Sequence, residues 1–82
     1  MMKKKSGFDK SLDKEIFAKK LDLDSTVITV GVYSYNEGDK KLQISRENRN
    51  MEGQLSFSKL GRLTKDEAEG ILPLFTEAVK FL

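Results

Sequence analysis

Thr26-Val27-Ile28-Thr29-Val30-Gly31-Val32-Tyr33-Ser34-Tyr35 is the stretch on which the fold turns. It is filled with β-branched and aromatic residues and alternates with a period of two, the pattern of a strand with one buried face. Ile28, Val30 and Val32 share the face expected to enter a core. Val27, Thr29, Gly31, Tyr33 and Tyr35 share the other, which sets two tyrosines and a glycine on the side away from the aliphatic residues.

Downstream, Asn36-Glu37-Gly38-Asp39 supplies turn chemistry, with Gly38 expected to take the positive φ. Lys40 to Glu47 then reads as a second strand with Leu42 and Ile44 inward. A polar turn around Asn48 to Gly53 leads to a third, Gln54 to Leu60, with Leu55 and Phe57 on one side. These segments form a basic ribbon. Between Lys40 and Arg62 the cations Lys40, Lys41, Arg46, Arg49, Lys59 and Arg62 face only Glu47 and Glu52, a local balance of +4 in a chain of net +2.

Thr64 followed three residues later by Glu67 is a capping box and predicts a helix that runs to the last residue. Ala68, Ile71, Leu72, Phe75, Ala78, Val79 and Leu82 recur at helical spacing and are expected to face the sheet. The register continues across Pro73, which predicts one bent helix rather than two. Leu74, Ala78 and Phe81 make a second apolar line that one sheet cannot cover. A helix apolar on two sides wants a second partner, and the same helix in another copy gives a two-fold homodimer.

Upstream, residues 1–20 hold seven lysines against Asp9, Asp13 and Glu15. Residues 1–24 therefore read as a basic, largely flexible tail, and residues 25–82 as the sheet-plus-helix domain. Within the tail, Phe8, Leu12 and Ile16 fall at helical spacing, while Phe17, Leu21 and Leu23 are candidates to dock on the sheet as an extended lead-in.

The 82 residues make one domain, and a chain this short buries only about 60% of its unfolded surface, so association with a partner is expected. With no cysteine and no histidine there is no disulfide staple, no thiolate site and no usual zinc ligand. No metal and no cofactor are expected. No apolar run approaches the roughly 20 residues of a membrane span. The expected setting is inside a cell, in bacterial or phage-infected cytoplasm or in a nucleus.

No nucleophile–base set and no glycine-rich phosphate loop are present, and Asp66, Glu67 and Glu69 suit the positive end of the helix dipole better than acid–base work. The chain reads as a binder, not an enzyme. Tyr33, Tyr35 and Phe57, interleaved with Lys40, Lys41, Arg46, Arg49, Lys59 and Arg62, are what sequence-tolerant single-strand binding requires: cations for phosphates and aromatic faces for bases. The amides around Gly61, just ahead of the helix cap, are a further candidate phosphate holder, with a tight strand-to-helix corner as the alternative.

In layout the chain resembles the positive-cofactor-four family of transcriptional coactivators. The likeness spans about residues 26–82 and rests on Tyr33-Ser34-Tyr35, on Leu42-Gln43-Ile44-Ser45-Arg46-Glu47, on Lys59-Leu60-Gly61-Arg62-Leu63-Thr64 and on the amphipathic helix that follows. The resemblance implies an α+β fold, a curved four-stranded antiparallel sheet plus one helix, dimerisation through the helices, and binding of single-stranded DNA in replication, recombination or transcription. Three departures stand out: strand one lacks the family's arginine, the Arg46-Glu47 pair is displaced by one residue, and Asn48 and Arg49 stand where a stacking aromatic belongs. The alternatives are an interaction adaptor that docks an acidic protein on the basic ribbon, and an RNA-binding regulator.

Overall fold

The structure, a computed structural model, describes residues 10–82. A 3-10 turn (Lys10–Leu12) leads into four strands, β1 (Asp13–Asp22), β2 (Thr26–Tyr35), β3 (Lys40–Arg49) and β4 (Leu55–Ser58), followed by one helix, α1 (Lys65–Val79). The strands form a single open antiparallel sheet in the order β1-β2-β3-β4, so the fold is α+β.

β2 is central, as its aliphatic density requires. Ile28, Val30 and Val32 are fully buried and pack with Phe17, Ile71 and Ala78. The helix lies against β1 and β2 on this face and leaves the other uncovered. It starts as expected: the Thr64 hydroxyl accepts from the Glu67 amide at 3.1 Å, and the Glu67 carboxylate accepts from the Thr64 amide at 3.0 Å. One helix continues through Pro73 and ends at Val79, with Lys80 as its C-cap, short of the expected end at residue 82.

Three expectations are corrected. Residues 13–22 are not tail but an edge strand, paired with β2 from Asp13↔Tyr35 to Asp22↔Val27. Phe17 and Leu21 do dock, as members of that strand, and their burial draws a lysine-rich segment into the sheet. The part of the tail that holds Phe8 lies outside the described residues. Second, the β2–β3 turn takes its positive φ at Asn36 (50°) and Glu37 (59°), not at Gly38. That is the type I′ pattern, whose twist matches a hairpin's strands. Third, the two apolar lines of the helix divide differently. Ile71, Leu74, Ala78 and Phe81 turn to the sheet, where Phe81 stacks on Phe17 with centroids 4.8 Å apart. Leu72, Phe75, Val79 and Leu82 are left exposed. The side bearing Gly70 is the one that fits closely, because a Cβ there would come within 2.6 Å of a Leu21 methyl.

Candidate nucleic-acid interface

The uncovered face of the sheet is built by alternation and register. Across β1, β2 and β3 its rows run Glu15–Tyr33–Lys41, Ala18–Gly31–Gln43 and Lys20–Thr29–Ser45, and the next, Asp22–Val27–Glu47, extends to Phe57 on β4. A register shift between Glu15 and Phe17 sets Asp13 and Glu15 opposite Tyr35 and Tyr33. Tyr33, Tyr35 and Phe57 thus share one open surface, with Tyr35 36% and Phe57 79% exposed.

The Tyr33 ring leans along its own strand toward Gly31. A Cβ at Gly31 would come within 2.7–2.9 Å of the ring's tip and hydroxyl, so the glycine makes room for the aromatic. Partial burial, then the charges of Glu15 and Asp13, raise the Tyr33 pKa above its ordinary value and keep the phenol protonated.

The expected cations separate into three groups. Lys41 stands on the open face beside Tyr33, with Lys40 next to it at the hairpin corner. Lys59 and Arg62 are exposed in the β4–α1 connection, which leaves β4 opposite Arg46 and offers that residue the Leu60 and Arg62 carbonyls. Arg46 and Arg49 are committed to the fold. Arg46 points to the helix side and donates to Glu67 Oε2 at 2.8 Å, Glu67 Oε1 at 3.0 Å, the Leu60 carbonyl at 3.0 Å and the Thr26 hydroxyl at 3.0 Å. Its assignment as a nucleic-acid contact is therefore withdrawn: strand alternation puts it on the same face as Leu42 and Ile44, where a guanidinium must be paired. Arg49 bridges β3 to the β1–β2 corner through Asp22 at 3.3 Å and the Asp24 carbonyl, and its hydrogen bond, seconded by that of the Asp24 amide, holds the Asp22 carboxyl below the usual carboxylate range.

Once β1 is in place, Lys20, Lys41 and Arg49 share the open face with Asp13, Glu15, Asp22 and Glu47, so the face is not basic, and Ala18, Gly31, Thr29 and Ser45 give it a centre of small neutral residues. The free cations stand at the rim. Lys41 and Arg49 are eight residues apart on one strand, about 27 Å, and the row residues between them on this face are Gln43, Ser45 and Glu47. Sequence reasoning missed Asp13, Glu15 and Lys20 because their strand was hidden in a lysine-rich segment. It also passed over Gln43 and Asp39, although Gln43 has the parity of Lys41.

The candidate phosphate cradle before the helix is occupied. Thr64 and Glu67 take each other's amides, and Glu67 brings a negative charge there. Gly61, at φ 59°, serves the tight corner. Leu74 and Ala78 pack toward the sheet, and Phe81, which stacks on Phe17, stays 39% exposed. Among the described residues no acidic group could hold a metal ion, and no helix is long and apolar enough to cross a membrane. No protein-family model, no curated protein and no solved structure matches the chain.

Proposed function

We propose that this chain is a non-enzymatic single-stranded-DNA-binding protein that works as a homodimer, akin in layout to the positive-cofactor-four coactivators and acting in replication, recombination or transcription. The observation that carries the reading is that Tyr33 and Tyr35 at the hairpin end, and Phe57 at the far end on β4, all belong to the one sheet face the helix leaves open. Bases laid on that face meet aromatic rings and small neutral side chains. Phosphates reach the cations at the rim: Lys40 and Lys41 at the hairpin end, Lys59 and Arg62 on the β4 side. The acids contributed by β1 suit a strand whose neutral bases lie on the face and whose phosphates are kept to the rim, and weigh against an acidic peptide laid across the same surface.

The second copy is assigned to the exposed helix line. Ala68, Leu72, Phe75, Val79 and Leu82 follow one another at four, three, four and three residues, the spacing of a helix–helix seam. Leu72 is 63% and Phe75 42% exposed, a patch that water disfavours and a two-fold partner would cover.

Fluorescence anisotropy with labelled oligo-dT and a duplex of equal length tests the reading. Single strands should bind more tightly, since a duplex hides its base faces. Phe57→Ala and Tyr33→Ala should each lower the affinity by about 1–3 kcal/mol. Equal affinity for both forms, unchanged in the two variants, would refute it.

A further inference from the structure

The hairpin end of the open face holds a notch of about 520 Å³ beside Tyr33 and Tyr35, lined also by Asp13 from β1, Asp39 from the turn, and Lys41 and Gln43 from β3. The volume lies in the range of small-molecule sites and takes a nucleotide with room to spare. What distinguishes the notch is its mixture: two aromatic rings, two carboxylates, an amide and a single cation.

We propose that the notch is a base-selective subsite that prefers guanine in the bound strand, an inference that rests on the reading of the chain as a single-strand binder. A carboxylate is acceptor only and offers two oxygens side by side. Guanine alone among the bases of DNA presents two adjacent donors on its Watson–Crick edge, the ring N1–H and the exocyclic amino group, so the two edges pair in the planar, bidentate way that strengthens and orients charge-assisted bonds. Thymine offers one N–H between two carbonyls, which a carboxylate repels. Adenine and cytosine present one amino donor beside an acceptor nitrogen and fall between. The Gln43 amide supplies a donor for the guanine carbonyl, the tyrosine rings supply stacking, and Lys41, paired across the strands with Tyr33, stands where a phosphate of the same nucleotide needs a cation. The charges of Asp13 and Glu15 already reach the Tyr33 hydroxyl, so carboxylates and ring act on the same small volume.

The test compares the full-length chain's binding to oligo-dT of about 15 nucleotides with the same oligomer carrying one central dG, dA or dC, by anisotropy at fixed salt. The dG oligomer should bind about tenfold more tightly than oligo-dT, with dA and dC between. In the double variant Asp13→Asn, Asp39→Asn that preference should fall below about twofold while oligo-dT binding is kept or improved, since two negative charges have gone. Circular dichroism checks that the double variant folds, and Gln43→Ala provides a second variant that should weaken dG binding selectively. Equal binding of the four oligomers by the parent, or a dG preference that survives in the double variant, would overturn the subsite while leaving single-strand binding intact. Failure of all four oligomers to bind would overturn the single-strand reading and the subsite with it.

Discussion

Arg46 and Glu67 meet fork to fork, Nη1 to Oε2 at 2.8 Å and Nη2 to Oε1 at 3.0 Å, with both side chains about a tenth exposed. The pair ties β3 to the first turn of α1. Through the Leu60 carbonyl it also fixes the connection that carries Lys59 and Arg62. The Arg46 guanidinium first, and the Thr64 amide second, pull the Glu67 carboxyl down from 4.5 to about 2. A carboxyl whose pKa is depressed on folding stabilises the fold fully above its unfolded pKa and loses that contribution as pH falls through the folded one. The melting temperatures of the parent and Glu67→Gln, followed by circular dichroism, should therefore differ most near neutral pH. The gap should close progressively from about pH 4.5 toward pH 2. A gap that does not change with pH would show that Glu67 acts by shape alone.

The two helix lines have separable consequences. Leu72→Asp or Phe75→Asp places a charge on the exposed seam and should yield a folded monomer, read by light scattering at micromolar concentration and by an unchanged circular dichroism spectrum. Ile71→Ala, on the buried side, should keep the association state of whatever remains folded but cost about 2–4 kcal/mol of stability in urea melts. A parent that is monomeric at those concentrations would remove the seam as an interface.

How much of this was legible in the sequence depends on how local each signal was. β2 was legible because ten residues alternate without interruption, and the helix start because Thr64 and Glu67 bond each other three residues apart. β1 was not. Its apolar residues Ile16 and Phe17 are adjacent and straddle an irregularity in pairing, so the two-residue period breaks where it would have been diagnostic, and three lysines and three acids along Asp13–Asp22 give it the composition of a solvated tail. The helix carried two apolar lines of similar strength, and no local rule says which one a sheet will take. Arg46 is the instructive case. Its parity with Leu42 and Ile44 was readable, but its partner lies 21 residues away in α1, and no local rule separates it from the surface cations.

β1 should prove structural. Phe17 lies between Val32 and the Phe81 ring, so Phe17→Ala removes a buried ring and its stacking partner and should cost about 3–5 kcal/mol in denaturant melts. A chain beginning at Thr26 should show no cooperative melt, because Ile28, Val30 and Val32 lose their covering strand. A cooperative transition in that truncated chain would mean that β1 is dispensable.

The division of the cations predicts the salt dependence. Lys59→Ala and Arg62→Ala should each flatten the slope of log K against log salt for oligo-dT by about 0.7 if each neutralises one phosphate. Arg49→Ala should change it far less, because that guanidinium is already held by Asp22 and the Asp24 carbonyl. Equal flattening in all three variants would mean that Arg49 leaves Asp22 when the strand arrives.

The close fit of Tyr33 against Gly31 gives the sharpest test of where bases stack. A methyl group at Gly31 would stand 2.7 Å from the edge of the Tyr33 ring, nearer than any relaxed contact, while the backbone there needs no glycine conformation. Alanine also suits a strand interior better than glycine, so the variant should fold with little change in stability. What must move is the ring, lifted from the open face where it would otherwise meet a base. Gly31→Ala should therefore weaken oligo-dT binding nearly as much as Tyr33→Ala, about 1–3 kcal/mol, and leave the salt slope alone because no cation is touched. The double variant should bind no worse than the weaker single one, since both changes remove the same contact. If Gly31→Ala binds as tightly as the parent while Phe57→Ala does not, the strand crosses the β4 side of the face and passes Tyr33 by.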